Sequence, residues 1–163
     1  MPSPLPPAAR FDLTDLVNAI ALSKVDDALL LSLSPLQWEA LAPFLQPLAL
    51  AAGQVLFKQG SVDRTLYLIE SGNLSVHYED KQGEVRLAII GAGSAVGEGS
   101  FFSHMPRGAT VQAGMPARLW SLSPMRFSEL SNRRPELALA VALAAAAVVA
   151  KRLTTRRKRD AVT

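Results

Sequence analysis

Six short β-prone segments, each closed off by a turn, leave this chain few folds to choose from. Gln54–Lys58, Leu66–Glu70, Leu74–Glu79 and Val85–Ile90 are rich in apolar and β-branched residues. Gly53, Gly60, Ser71-Gly72 and Lys81-Gln82-Gly83 separate them, and Thr110–Ala113 and Ala117–Leu122 continue the pattern. Strands recurring about every 8–12 residues with glycine turns predict an antiparallel sandwich or barrel rather than alternating strands and helices. So many short strands must also protect their edges, and closure into a jelly roll does that.

Helical patterns flank this region. Phe11–Leu33 carries apolar residues at helical spacing (Phe11, Leu13, Leu16, Val17, Ile20), with Asp and Thr near its start. Ser34-Pro35 predicts a short helix with Ser34 as N-cap and Pro35 at its first position. Pro43 and Pro47 then punctuate the chain. After the strands, Ser123-Pro124 opens a short helix to about Leu130, and Pro135 opens another to about Arg159. The expected class is therefore mainly β with flanking α: an antiparallel jelly-roll β-barrel with N-terminal helices, a short helix within the barrel and a long C-terminal helix. The expected division is a disordered arm at 1–10, N-terminal helices at 11–46, the barrel at 47–123 and C-terminal helices with a basic tail at 124–163.

Composition sharpens this. The apolar fraction is 49% and is dominated by Ala and Leu, both strong helix formers. They concentrate in Leu137–Ala150, a run without a polar side chain. A membrane span needs about 20 apolar residues, so the expectation is a helix packed on its own domain or on a second chain. The net charge of +3 hides an asymmetry. Residues 151–160 hold six basic residues against one acidic, and the remainder holds 11 basic against 13 acidic. A mildly acidic body thus carries a basic tail. There is no Cys, which excludes disulfides and thiolate metal sites. With no signal peptide in view at Met1–Pro7, a cytoplasmic location is expected.

Leu87–Gly97 imitates a dinucleotide fingerprint, an apolar strand followed by Gly91-x-Gly93-x-x-x-Gly97. The context denies it. Upstream strands alternate with turns, Pro106 stops any following helix, and no acidic residue lies about 20 positions on to hold a ribose. A different chemistry fits Val96–Val111 better. An acid, Glu98, opens a very short helix behind Gly97, and Arg107 follows before a strand. A helix N-terminus offers amides to an anion, and a guanidinium grips phosphate oxygens through charge-assisted bonds. A carboxylate beside a phosphate calls for a donor of its own, and a ribose hydroxyl is one.

Gly97-Glu98-Gly99-Ser100…Pro106-Arg107-Gly108-Ala109-Thr110-Val111 resembles the phosphate-binding cassette of the cyclic nucleotide-binding domain family. That family includes bacterial catabolite-activator-type regulators, protein kinase A regulatory subunits and cyclic-nucleotide-gated channels. Its pattern is Gly-Glu-apolar-small, six variable residues, then Arg, a small residue and Ala-Thr-Val. The upstream stretch Gly53–Gly72, with Gly60, Asp63, Leu66 and Tyr67, also resembles the family's, so the likeness covers about Leu48–Leu130.

The resemblance implies that Glu98 accepts from the ribose 2′-OH and Arg107 pairs with the cyclic phosphate. Backbone amides around Gly97, Gly99–Ser100 and Gly108–Ala109 would complete the anion site. In relatives the C-terminal helix forms a dimer seam and lids the base, which would bring Thr154 and Thr155 toward an adenine. The implied ligand is cAMP, with cGMP and cyclic di-GMP as alternatives. Gly99 departs from the usual Leu or Met, and Gly108 from Ser, Thr or Ala. The latter offers guanine no hydroxyl and tips the expectation toward cAMP. The implied partners are an unidentified protein effector and a second copy of this chain.

Other outcomes remain at this level. Glu98 and Arg107 would form an ordinary ion pair in a barrel that docks a partner without nucleotide. The basic tail would be a solvated helix end suited to the helix dipole, a phosphate-backbone binder or a contact for an acidic membrane. Only three residues follow Asp160, which speaks against a helix-turn-helix reader. His77 and His104 stand apart and without Cys, so no metal site is expected. No nucleophile–base set or paired carboxylates stand out; no enzyme and no cofactor are expected.

Overall fold

The computed structural model describes residues 11–83 and 85–161, and the side chains of residues 86 and 157–161 fall outside that description. The arm expected at 1–10 lies outside the described residues. In chain order the elements are α1 (Thr14–Leu22), α2 (Pro35–Leu41), β1 (Gln46–Leu50), β2 (Val55–Phe57), β3 (Leu66–Ser71), β4 (Asn73–Glu79), β5 (Val85–Gly91), β6 (Ala95–Val96), α3 (Glu98–Ser103), β7 (Thr110–Ala113), β8 (Ala117–Leu122), α4 (Pro124–Arg133) and α5 (Pro135–Ala161). Two four-stranded sheets, in the orders β1-β8-β3-β6 and β2-β7-β4-β5, face each other, and every strand pair is antiparallel. This is the expected class: mainly β, a jelly-roll sandwich with flanking helices.

Three elements differ from expectation: α1, β1 and the two-residue β6, which had no sequence signal. The helical spacing across Phe11–Leu33 yields only α1, which ends where Ser23 turns extended. The reason is tertiary. Leu29 and Leu31 are buried, but the segment that carries them runs past the β5–β6 turn, where the Leu29 amide donates to the Gly93 carbonyl at 2.9 Å. Gly93 also lets the end of α1 approach the same turn, because a Cβ there would lie 2.5 Å from the Ala19 carbonyl and from Ser23 Cβ. The second difference is β1, which contains Pro47. A proline without an N–H is admissible because β1 lies at the edge of its sheet. The short helices start as their sequence predicts: Ser34 and Gln37 form a reciprocal capping box on α2, and Ser123 Oγ accepts from the Arg126 amide at 3.2 Å on α4.

The first sheet is apolar on both faces. Tyr67, Ile69 and Leu119 point between the sheets with Leu50, Phe57, Leu74, Ile90, Val96 and Val111. Leu66, Leu68, Trp120 and Leu122 point the other way, into a second core formed with the helices. That second core takes Leu16 and Ile20 of α1, Trp38 and Leu41 of α2, Leu130 of α4, and Leu137, Val141, Ala145 and Val148 of α5. Pro135–Arg156 is 22 residues long and apolar enough to cross a membrane by length and composition. In this fold one face of it is core, which seats its far end beside the cassette.

Candidate functional site: the cassette between barrel and helix

Glycine geometry builds the cassette. Gly97 caps α3 with φ +85°, and a Cβ there would stand 2.6 Å from the Thr65 carbonyl and 2.7 Å from an Arg107 nitrogen. Only glycine fits that turn without displacing Arg107. The turn aims α3 so that the amides of Glu98, Gly99 and Ser100 have no acceptor one turn back. Gly99 and Gly108 are exposed, and nothing lies within 4 Å of a Cβ built on either. Ser100 is buried, Ala109 is half-buried, and α3 closes at His104, a left-handed residue with φ 61°.

Arg107 is the deepest charge here, with its side chain only 1% exposed. The loop Gly60–Thr65 wraps it. The Arg107 amide donates to the Ser61 carbonyl and the Gly60 amide to the Arg107 carbonyl, both at 2.7 Å. Its guanidinium donates to the Gly97 carbonyl (3.0 Å), the Thr65 carbonyl (2.7 Å) and Asp63 Oδ2 (2.7 Å), and lies 3.9 Å over the Phe57 ring. Its Nε–H is buried without an acceptor. This explains why the Gly60–Asp63 stretch and the cassette belong together: one cradles the arginine of the other.

Burial pushes the Asp63 carboxyl up, but the bonds from Arg107 and Thr65 and the guanidinium charge outweigh it and hold the group below the ordinary carboxylate value. Burial raises the neighbouring Tyr67 hydroxyl, and the Asp63 charge adds to that.

Glu98 does not pair with Arg107. Its Oε1 lies 2.7 Å from Nη1 of Arg152, which comes from α5. Arg152 also donates to Asp27 Oδ2 (3.0 and 2.9 Å), Ser94 Oγ (3.0 Å) and the Ala95 carbonyl (2.7 Å). Ser94 Oγ in turn donates to the Asp27 carbonyl at 2.7 Å. Thr154 and Thr155 are not brought to the cassette. Their hydroxyls donate to the Ala150 and Lys151 carbonyls of their own helix, and both line an open groove of about 520 Å³ with Asp26. The α5 residue that meets the cassette is thus Arg152. Neither its role nor those of Asp63, Asp27 and Ser94 was assigned from sequence. Asp63 had a signal, its place in the upstream motif; Arg152 is one of six basic residues in a run and had none. His77 bonds Ser75 Oγ at 2.8 Å on the outer face of the second sheet, opposite Thr110 of β7. Among the described residues no group of three or more metal-ligating side chains gathers.

A two-sheet jelly roll with a glycine-capped cassette helix and a buried arginine beneath it defines a class, the barrels that accept a phosphorylated ligand between strand and helix. The family model for the cyclic nucleotide-binding domain matches residues 47–134, and the chain belongs to that family. It is 33% identical over 118 residues to a cAMP-dependent protein kinase regulatory subunit of Blastocladiella emersonii, covering 72% of this chain and 23% of that one. It superposes on a cyclic nucleotide-binding domain of Methylobacillus flagellatus with a TM-score of 0.71 and 23% identity, over 89% of this chain and 78% of that chain. The regulatory domain of Toxoplasma gondii protein kinase A, solved with cAMP, gives a TM-score of 0.54 and 28% identity, over 60% and 38% of the two chains. The chain spans a quarter or less of the length of the first curated relatives it matches.

Proposed function

We propose that this chain is a regulatory cyclic nucleotide sensor, not an enzyme, and that its cassette takes cAMP. The observation that carries this is Arg107: a guanidinium buried against Gly97 at the start of the cassette, with a donor that has no protein acceptor. A cyclic phosphate that reaches this guanidinium meets its charge, amides at the start of α3 share the phosphate charge, and Glu98 accepts from the ribose 2′-OH. Relatives whose names or structures specify cAMP support the choice of base, as does Gly108, which has no hydroxyl for guanine. The signal is a population shift in α5. Its outward face carries Leu139, Leu143 and Leu153, exposed in line with Ala146 and Ala150. That 4-3-4-3 spacing is a coiled-coil seam and fits a second copy of this chain as the partner. Leu143→Glu then leaves a monomer in sedimentation where the parent chain is a dimer.

A second reading has one observation in its favour. Both terminal nitrogens of Arg107 already have protein acceptors, which suits a barrel that docks a partner without nucleotide. A thermal melt separates the two. The sensor gains several degrees with cAMP at 100 times its dissociation constant, a stabilisation of about 2.7 kcal/mol. A melt unmoved by any cyclic nucleotide favours the docking barrel.

A further inference from the structure

Strand β7 begins at Thr110, and its ladder against β4 ends at the pair His77–Thr110. The chain just before it, Arg107–Ala109, lies outside the sheet and belongs to the cassette. Glu79, two residues beyond His77 on β4, is thus left without a β7 partner. The side chain of Gln59 takes that place. Its Nε2 donates to the Glu79 carbonyl at 3.0 Å, and its Oε1 accepts from the Glu79 amide at 3.1 Å. A side-chain amide supplies both bonds of the missing rung. The main chain of Gln59 is held as well, its amide donating to Thr110 Oγ1 at 3.0 Å.

Gln59 is also the second residue of a tight turn. The Ser61 amide donates to the Lys58 carbonyl at 3.1 Å, and Gly60 stands third with φ +86°, the type II pattern. That turn presents the Gly60 amide and the Ser61 carbonyl to the main chain of Arg107, both at 2.7 Å. The turn fixes the backbone on which the buried guanidinium is mounted, and Gln59 fixes the turn. Gln59 and Glu79 are both exposed, so water competes for their bonds and the net stabilisation is small. What the pair sets is direction, since one orientation of the amide satisfies donor and acceptor together. We infer that Gln59 is a positioning residue for the phosphate site: through the Lys58–Ser61 turn it sets where Arg107 stands, and it ties the far end of the β4–β5 hairpin to that arginine. This rests on the nucleotide reading above and adds to it a residue that acts only through Arg107.

The test compares the full chain with Gln59→Met, which keeps the length of the side chain and removes both of its bonds. Calorimetry gives the cAMP affinity. The NMR resonance of the Arg107 Nε–H, taken without nucleotide, gives the seat of the guanidinium, because that group is buried without an acceptor and reports its surroundings. Ser34→Ala, which removes the α2 cap, is the control that lowers stability elsewhere. The expected result is about tenfold weaker binding in Gln59→Met, equal to about 1.4 kcal/mol, with the Arg107 resonance shifted. Ser34→Ala should change neither. A Gln59→Met chain that melts lower but keeps the parental affinity and resonance overturns the positioning role and leaves the nucleotide reading intact. A parent that binds no nucleotide removes that reading, and the resonance then decides alone: a shift upholds the positioning of Arg107, and none overturns it. Should Gln59→Met fail to fold, Gln59→Glu sets an oxygen against the Glu79 carbonyl and carries the same expectation.

Discussion

Two arginines hold the cassette, one from beneath and one from the side, and they are built differently. Arg107 is enclosed by the barrel: its backbone is zipped to Gly60–Ser61 and its guanidinium spans Asp63, Thr65 and Gly97. Arg152 arrives on a helix, stays 22% exposed, and touches residues as far as 125 positions away. A charge locked in a low-dielectric site loses a great deal when its partner goes, whereas a partly wet pair exchanges partners at modest cost. The barrel side of the cassette is therefore the more deeply enclosed and the helix side the more exposed to water.

The largest effect tests the enclosed side. Arg107→Ala should weaken cAMP binding by about 3 kcal/mol, more than a hundredfold, because the phosphate loses its buried counter-charge. Arg107→Lys should recover little of this, since a point charge cannot span the acceptors that the planar fork reaches. Calorimetric titration of the two variants checks both, and near-parental affinity in Arg107→Ala would return Arg107 to a purely structural role.

Next in size is the ribose contact, where the two sides meet. The parent chain should prefer cAMP over 2′-deoxy-cAMP by about tenfold, the worth of one hydrogen bond to a charged group. Glu98→Ala should erase the preference. A preference that survives in the variant would mean that the 2′-OH is held by something other than Glu98.

A smaller effect concerns the support beneath Arg107. The Asp63 carboxyl is held below its ordinary value, chiefly by Arg107 against the opposing pull of burial. Its pair stabilises the fold above about pH 4, the usual Asp value, and the contribution is lost as pH falls through the lowered one. Asp63 is 41% exposed, so screening keeps this to under about 1 kcal/mol. Acid unfolding curves should show Asp63→Asn losing less stability than the parent between about pH 4 and 2. Parallel curves would show that the pair has no such share.

The smallest effect lies at the cassette's far end. His104 closes α3 in a left-handed conformation that costs an ordinary residue about 1 kcal/mol. Exchange to Gly should raise the unfolding free energy by up to that amount in a denaturant titration. A loss instead would mean that the imidazole makes a contact worth more than the strain.

The two arginines also mark what was legible in the sequence. Arg107 sits in a local pattern where glycines, acid and arginine lie within a dozen residues, so chemistry and spacing expose it together. Arg152 makes its contacts only because α5 packs its Leu137–Val148 face into the helical core, which no spacing rule encodes. The same contrast runs through the fold. The strands β2–β5, β7 and β8 could be read from their glycine turns. β1 was hidden by Pro47, tolerable only at a sheet edge, and β6 is two residues long. Leu29 and Leu31, two residues apart, serve an extended segment against Gly93, so the helical spacing of Leu13, Leu16 and Ile20 stops at α1.

The account stands most directly on one titration: cAMP added to the full chain in a calorimeter. It predicts saturable binding at one site per chain, with the curve lost in Arg107→Ala. Heat no greater than dilution at millimolar cAMP, cGMP and cyclic di-GMP would contradict it and leave a barrel whose buried arginine serves the fold alone.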